Sequence, residues 1–336
     1  MSYRFIALAG ALAFASMALP GQTPGQTKNK SWSAPRTPDG KPDLQGVWTN
    51  ATLTPLERPS NVAGKATLTD AEAAVWEKKS SDEEKKYDGK AENPIADALG
   101  SGGTGGYNAL FVDHGTELAR VDGVKRTSLI IDPPDGKVPP ITAEAKARNA
   151  AMMRAFSKFD SVKDRPLGER CLVSFGSSAG PPMLPVLYNN NYEIVQTPDN
   201  VVILVEMVHD ARIVRMNATH APSSVRQWFG DSVGHWEGDT LVVDTTNFTD
   251  KTRFRGASEN LHVVERFTRV DQNTILYRVT IDDPSTFAKA WTVEYPFVAT
   301  KGPVYEYACH EGNYAMTDIL GGARKADEEK AEKAKK

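Results

Sequence analysis

Residues 231–245 read DSVGHWEGDTLVVDT, and this stretch decides the fold of the chain. Its centre, EGD at residues 237–239, predicts a tight turn, because glycine reaches positive φ without a Cβ clash and aspartate tolerates the same conformation. The residues after the turn alternate in character, which places Leu241, Val243 and Thr245 on one face of a strand. The stretch therefore predicts a β-hairpin with one face turned toward a core.

A second stretch, ENLHVVERF at residues 259–267, carries an unusual number of charges for one strand. His262 and Arg266 share one face of this predicted strand, and Glu265 points to the opposite face. A solvated sheet face accounts for part of this pattern, whereas a polar barrel interior accounts for all of it. The stretch therefore favours a barrel whose interior carries charged side chains.

Strand-like segments, separated by short turns, continue on both sides of the hairpin. They lie at residues 192–197, 201–208, 211–216, 261–270, 274–281, 291–300 and 304–309. Many short strands without helical crossovers predict an antiparallel sandwich or barrel, and closing the sheet into a barrel hides its edges most simply. We therefore predict a mainly β fold, with an antiparallel up-and-down barrel over residues 166–320.

The N-terminal part, residues 23–165, predicts an irregular and partly helical wrapping around this sheet. One helix is expected to begin at Thr69 or Asp70, and Thr142 is expected to cap a second helix over residues 143–159. The tail, residues 321–336, is rich in alanine, glutamate and lysine, and it predicts a frayed helix or a disordered end.

The composition is that of a globular protein, with 40% hydrophobic and 25% charged residues and a formal net charge of −3 over 336 residues. This charge gives no electrostatic case for binding nucleic acid or an anionic membrane. Arg4 followed by an apolar run at residues 5–19 predicts a cleaved signal peptide over residues 1–22, because the run is shorter than the roughly 20 residues that span a bilayer. A membrane anchor is the alternative. We therefore predict a periplasmic or secreted protein whose mature chain does not insert into a membrane.

The two cysteines, Cys171 and Cys309, predict a disulfide, because an even pair in an oxidising compartment is normally bonded. Such a bond would tie the start of the β region to its end and stabilise the fold by about 3–5 kcal/mol in the chain-entropy model. Two buried free thiols are the alternative. A catalytic cysteine is less favoured, because the neighbouring residues are not of the kind that lowers a thiol pKa.

Six motifs spread over most of the mature chain carry a resemblance to a known family. They lie at residues 38–48, 126–136, 192–198, 236–244, 261–267 and 309–314. Together they resemble a largely uncharacterised family of exported bacterial proteins with a lipocalin-like β-barrel, and GVW at residues 46–48 is similar to the opening of lipocalins. The resemblance implies a barrel with a central cavity. It also implies cofactor-free lyase or decarboxylase chemistry on lignin-derived aromatic dimers, with which such proteins are associated.

The candidate catalytic residues come from the β region, because histidine is the usual proton carrier near neutral pH. We expect His262, as the proton carrier, with Glu265 and His310, to lie in or at the rim of the barrel cavity. The candidate substrate-binding residues are two arginines that could anchor an anion and two aromatic residues: Arg266, Arg212, Tyr188 and Trp228. The alternative for each is a structural role in a surface ion pair, a backbone contact or the core.

The sequence predicts no metal and no cofactor, because it contains no H-E-x-x-H or C-x-x-C motif and no histidine pair at i, i+2. A metal held by histidines and carboxylates that converge from distant strands is the alternative. We therefore predict an exported, cofactor-independent acid/base enzyme, a lyase or decarboxylase acting on an aromatic or carboxylated compound. The alternatives are a non-catalytic periplasmic lipocalin-like ligand-binding protein and a surface or assembly protein. A polar barrel interior would favour the enzyme over the ligand-binding protein.

Overall fold

The strands and helices were assigned in a computed structural model that describes residues 32–87, 113, 115–173, 180–186, 188–251, 254–311 and 313–335. The strands are β1 (Gly46–Thr49), β2 (Thr67–Leu68), β3 (Arg120–Val121), β4 (Val124–Arg126), β5 (Ile130–Asp132), β6 (Asn191–Gln196), β7 (Asn200–Val205), β8 (Ala211–Met216), β9 (Asp231–Glu237), β10 (Thr240–Thr246), β11 (His262–Asp271), β12 (Thr274–Asp282) and β13 (Trp291–Ala299). The α-helices are α1 (Asp70–Tyr87), α2 (Ala143–Phe156) and α3 (Ala315–Lys333). The signal peptide predicted over residues 1–22 lies outside the described residues.

Among the described residues, nine strands close into a barrel, in the order β1-β6-β7-β8-β9-β10-β11-β12-β13. The ring closes through β1, which pairs Trp48 with Tyr192 of β6 on one side and with Ala299 of β13 on the other. Strand β5 adds to β13 outside the ring, and β2, β4 and β3 form a separate small sheet. The predicted mainly β barrel is therefore confirmed.

One pair of neighbours departs from the predicted up-and-down pattern. Strands β8 and β9 are parallel, with Arg215 opposite Val233 and Met216 opposite Gly234. Residues 217–230 carry the chain back along the barrel between these two strands. Gly234 allows the close approach, because a Cβ atom there would lie 2.8 Å from a methyl group of Val214 and 2.9 Å from the sulfur of Met216.

The N-terminal segment does more than wrap the barrel, because it supplies β1 to the ring. Its helices begin as expected: the Thr142 hydroxyl accepts a hydrogen bond from the Ala145 amide at 3.0 Å, and Thr69 and Glu72 cap α1 reciprocally. The strand predicted over residues 304–309 is wrong, since these residues form no strand. The C-terminal tail is helical from Ala315 onward.

Aromatic side chains pack the barrel interior. Tyr277 lies at the centre of this packing, with its ring 4.9 Å from that of Phe297 and 5.1 Å from that of Phe267. The inward positions on β10 are the predicted ones, and Leu241 and Thr245 are both buried. The alternation seen in the hairpin sequence therefore gives the correct inner face.

Cys171 and Cys309 form the predicted disulfide, with their Cα atoms 5.6 Å apart. The bond joins the segment that precedes the main strands to the segment that follows β13. Among the described residues, no helix combines the length and the hydropathy that crossing a membrane requires.

Candidate functional site

A buried ion pair lies inside the barrel. Arg212 on β8 is 3% exposed and Glu265 on β11 is 0% exposed. The guanidinium donates from Nη1 to Oε1 at 3.1 Å and from Nη2 to Oε2 at 2.6 Å, and the Tyr277 hydroxyl donates to Oε1 at 2.8 Å. Burial lowers the pKa of Arg212, but the facing Glu265 carboxylate more than compensates, so the pKa is raised overall and the guanidinium stays charged.

Further polar groups adjoin this pair and complete what we call the interior cluster: Arg212, Glu265, Tyr277, Asn50, Tyr192 and Tyr295. The Asn50 amide donates to the hydroxyls of Tyr192 at 3.2 Å and Tyr295 at 3.3 Å. Burial raises the pKa of all three tyrosine hydroxyls, which therefore remain protonated donors. Within the part of the chain that the structure describes, Asn50 Oδ1 and Arg212 Nε are buried without a hydrogen-bond partner.

A continuous hydrogen-bond chain of histidines and aspartates runs across the outer face of the barrel. His220 Nδ1 lies 3.1 Å from Asp231 Oδ2, and His220 Nε2 lies 2.9 Å from Asp244 Oδ1. The other oxygen of Asp244 lies 2.9 Å from His262 Nε2. We call these four residues the histidine–aspartate chain. Both nitrogens of His220 can donate to their carboxylates only when the ring carries two protons.

The charges along this chain stabilise one another. The hydrogen bond to Asp244 raises the pKa of His262 in spite of partial burial, and the charge of Asp282 adds to the rise. The same hydrogen bond is the largest cause that lowers the pKa of Asp244. Burial raises the pKa of Asp231, but hydrogen bonds from the Ala221 amide, His220 and Arg215 outweigh burial, so its pKa is lowered. The carboxylates are therefore ionised near neutral pH, and His262 holds a proton more firmly than an ordinary histidine.

His262 forms the solvent-facing end of the chain. Its side chain is 41% exposed. Its Nδ1 atom makes no hydrogen bond with any residue that the structure describes. An imidazole held by a carboxylate at one nitrogen and open at the other is the usual arrangement of a proton-transfer group.

A cleft of about 630 Å³ opens in the barrel wall between β8 and β9. It forms because these strands pair only at Arg215 and Met216 and diverge before that point. Trp228, which is 38% exposed, and Arg226 line the cleft from the loop between the two strands. Asp231, the inner end of the histidine–aspartate chain, lines it as well, so the chain connects the cleft to His262.

Two predicted residues thus belong to the cleft or border on it. Trp228 lines it with its exposed ring, and Arg212 is also among the lining residues although its side chain turns inward to Glu265. The structure therefore places the predicted anion anchor Arg212 and the predicted carboxylate Glu265 in direct contact, behind the cleft.

The other predicted residues are not assembled into one site. His262 and Glu265 lie on opposite faces of β11, so the carboxylate partner of His262 is Asp244 rather than Glu265. Arg266 lies on the outer face and donates to Glu237 at 2.6 Å. His310 is exposed beside the disulfide and forms no ion pair with another described residue. The predicted catalytic group of His262, Glu265 and His310 is therefore divided among three places.

Tyr188 lies in a half-buried position against the core. Burial and the hydrogen-bonded Tyr188 raise the pKa of Tyr307 to about 12. Tyr188 thus contacts another tyrosine, and neither residue lines the cleft.

Sequence reasoning missed His220, Asp231 and Asp244. The hairpin pattern does place Asp244 on the outer face, the face that His262 occupies on its own strand. Their contact depends on the register in which Thr245 faces Val263, and the sequence does not fix that register. His220 lies in an irregular loop, where periodicity gives no signal.

No family model, curated protein or solved structure matches the chain.

Proposed function

We propose that this protein is an exported, cofactor-independent acid/base enzyme, a lyase or decarboxylase acting on an aromatic or carboxylated compound. The observation that carries the proposal is the histidine–aspartate chain, which links a solvent-facing imidazole to the wall of the cleft. Export is supported by the disulfide between Cys171 and Cys309, because such bonds persist in oxidising compartments.

The cleft suits a small aromatic carboxylate. Its volume of about 630 Å³ falls within the roughly 300–1,000 Å³ typical of small-molecule sites. The exposed ring of Trp228 offers a stacking surface. The guanidinium groups of Arg215 and Arg226 also line the cleft, where Arg215 is paired with Asp231 and Arg226 with Glu259, so a substrate carboxylate would have to share these arginines with the protein's own carboxylates. Lignin-derived aromatic compounds have both features and are the first class to test.

The histidine–aspartate chain supplies the proton that the reaction needs. In a decarboxylation, the bond between the substrate carbon and its carboxylate breaks, the electron pair stays on the carbon, and CO₂ leaves. The carbon then takes one proton. His220 passes this proton to Asp231 at the cleft wall, and Asp231 gives it to the carbon. His262 replaces the proton of His220 through Asp244 and takes a new one from solvent. Each aspartate holds the proton only in transit and returns to its ionised state.

The interior cluster supports an enzyme rather than a storage protein. A protein that only holds a hydrophobic ligand is expected to bury few polar groups in its interior, whereas this barrel buries an ion pair and three tyrosine hydroxyls. Arg212 touches both the cleft lining and the cluster, so the buried charges keep the cleft wall in place. A non-catalytic ligand-binding protein would also use the cleft, but it would not need the histidine–aspartate chain.

The test combines ligand identification with turnover. Native mass spectrometry and elemental analysis of the protein purified from its own cells would identify a bound organic compound or a metal. Hydroxybenzoic acids, hydroxycinnamic acids and lignin-derived aromatic dimers are then incubated with the mature protein, and products and CO₂ are followed. We expect turnover of at least one compound, reduced about 100-fold or more by His262→Ala.

His235→Ala is the matched control, because His235 is an exposed histidine beside Glu237 on the same barrel wall, outside the chain. It should leave the rate unchanged. Binding in the cleft without turnover would favour the ligand-binding protein instead. Equal rates in the wild type, His262→Ala and His220→Gln would refute the role of the chain, and a stoichiometric metal would refute the cofactor-free mechanism.

A further inference from the structure

A second cavity, of about 720 Å³, lies between α2 and residues 163–170 and shares no lining residue with the cleft. We call it the α2 pocket. One face of α2, repeating every three or four residues, forms its wall: Arg148, Ala151, Met152, Ala155 and Phe156. Within α2, Ala145 is the buried residue, and it does not line the pocket. The largely apolar face that lines the pocket is therefore not part of the core. Leu167, from the opposite side, adds to the apolar wall.

The rim of the α2 pocket carries three cationic side chains without an ion-pair partner among the described residues. Lys163, Arg170 and Lys251 line the pocket, and none of them forms an ion pair with a residue that the structure describes. Among the described residues that line the pocket, Asp250 is the one acidic residue. The chain as a whole carries a formal net charge of −3, so this cluster does not reflect a generally basic surface.

Two further arginines line the pocket but are already engaged in the fold. Arg165 forms a two-point pair with Glu169, at 2.9 and 3.0 Å. Arg148 donates to the Thr286 hydroxyl at 2.6 Å, while its Nε atom is buried and lacks a partner among the described residues. The hydrogen bonds of Arg165 and Arg148 therefore hold the pocket wall in place, and three other cations of the lining are available to a ligand.

We propose that the α2 pocket binds an anionic amphiphile, a monomeric molecule with an apolar body of fatty-acid size and one carboxylate-like head. The body packs against Met152, Phe156 and Leu167, and the head lies among Lys163, Arg170 and Lys251. Apolar burial supplies the attraction for the body, and the unpaired cations select a negatively charged head over a neutral one. This inference stands independently of the enzyme proposed above.

The first experiment measures binding of sodium decanoate to the full mature chain by isothermal titration calorimetry. Decanol and acetate serve as probes that keep only the apolar body or only the charged head. We expect decanoate to bind about tenfold or more tightly than either, because charge-assisted contacts and apolar burial each contribute more than 1.4 kcal/mol. Its affinity should fall as salt is added.

Matched variants locate the site. Met152→Asp should abolish decanoate binding, whereas Met153→Asp, at the neighbouring and 63% exposed position outside the pocket, should leave it unchanged. Lys163→Gln combined with Lys251→Gln should weaken decanoate by about tenfold and leave decanol unaffected. Arg154→Gln is the charge control, because Arg154 lies on the same helix outside the pocket.

The proposal would be overturned by equal affinity for decanoate and decanol, by an equal loss of decanoate affinity in Met152→Asp and Met153→Asp, or by the absence of decanoate binding. Flotation with vesicles that contain phosphatidylglycerol separates the two possible sources of an anionic amphiphile. Binding to such vesicles without binding of monomeric decanoate would assign the cations to a lipid surface and would also overturn the proposal. Urea unfolding of each variant checks that the fold is intact.

Discussion

Replacing Arg212 with methionine is expected to destabilise the fold by about 3–5 kcal/mol, the usual cost of leaving a buried charge without its partner. The Glu265 carboxylate is 0% exposed and accepts two hydrogen bonds from Arg212 and one from Tyr277. The variant removes the counter-charge and two of these three donors. The remaining carboxylate must then stay charged in the core or take up a proton, and either outcome reduces stability.

The double variant Arg212→Met/Glu265→Leu should recover most of this loss. Replacing a buried ion pair by apolar side chains of similar volume is often neutral or stabilising by about 1–4 kcal/mol. Here the Tyr277 hydroxyl also loses its acceptor, which costs about 1–3 kcal/mol. We therefore expect the double variant to lie near the wild type and above the single variant. A double-mutant cycle, completed with Glu265→Leu, gives the coupling free energy directly.

The assay is urea unfolding at pH 7, followed by tryptophan fluorescence with the disulfide intact, and the slopes must agree among variants for the comparison to hold. Arg266→Met is the control, because it removes the same residue type from an outer-face pair with Glu237, where solvent already screens the charges. A loss below about 1 kcal/mol in Arg212→Met would refute the view that this pair is electrostatically isolated. A double variant as unstable as the single one would refute it too.

The remaining predictions concern three other contacts. Asp244 raises the pKa of His262, so the free energy of unfolding should fall as pH rises from about 6.5 through the raised pKa. Urea unfolding over a pH series should show this slope. An unchanged slope in Asp244→Asn would contradict the assignment. Replacing Cys171 and Cys309 by alanine should lower the free energy of unfolding by about 3–5 kcal/mol relative to the oxidised wild type. A loss close to zero would mean that the disulfide does not constrain the unfolded chain. Thr142→Ala should destabilise α2 by about 1 kcal/mol, and thermal melting should show no comparable shift for Thr142→Ser.

The sequence was sufficient wherever a local rule determines the structure. Strand alternation alone placed Leu241 and Thr245 inside and Asp244 outside, and it placed Glu265 on the face opposite His262. Thr142 was recognisable as a helix cap because its role depends on residues within one turn. Such features need no knowledge of which distant segments meet.

The sequence was insufficient wherever the answer depends on strand pairing. Residues 304–309 have a strand-like composition, yet β13 already pairs with β12 on one edge and with β1 and β5 on the other, so it offers them no free edge. The parallel contact of β8 with β9 also escaped prediction, because the long connection at residues 217–230 permits either a parallel or an antiparallel return and its sequence does not choose between them. The cleft that follows from this contact was missed for the same reason.

The sequence predicted several residues of the candidate site but not how they contact one another. Arg212 and Glu265 were both identified, but their contact crosses the barrel interior. His262 was predicted as the proton carrier, a role that stays a prediction, and its partner Asp244 comes from the neighbouring strand at a register that only the closed sheet defines. A loop residue, His220, then completes the chain, and no periodic pattern marks such a position.

The closing of the ring through β1 has a consequence for the growing polypeptide. Trp48 is synthesised early, yet its two neighbours, Tyr192 and Ala299, are made much later, the second near the C-terminus. Until β13 exists, the sheet is an open ribbon whose outer strands expose unpaired backbone groups, the usual template for joining another chain edge to edge. Contacts between such distant residues also form slowly. Fragments that stop before Ala299 should therefore associate with one another, and the monomeric barrel should form only after the last strand has been synthesised.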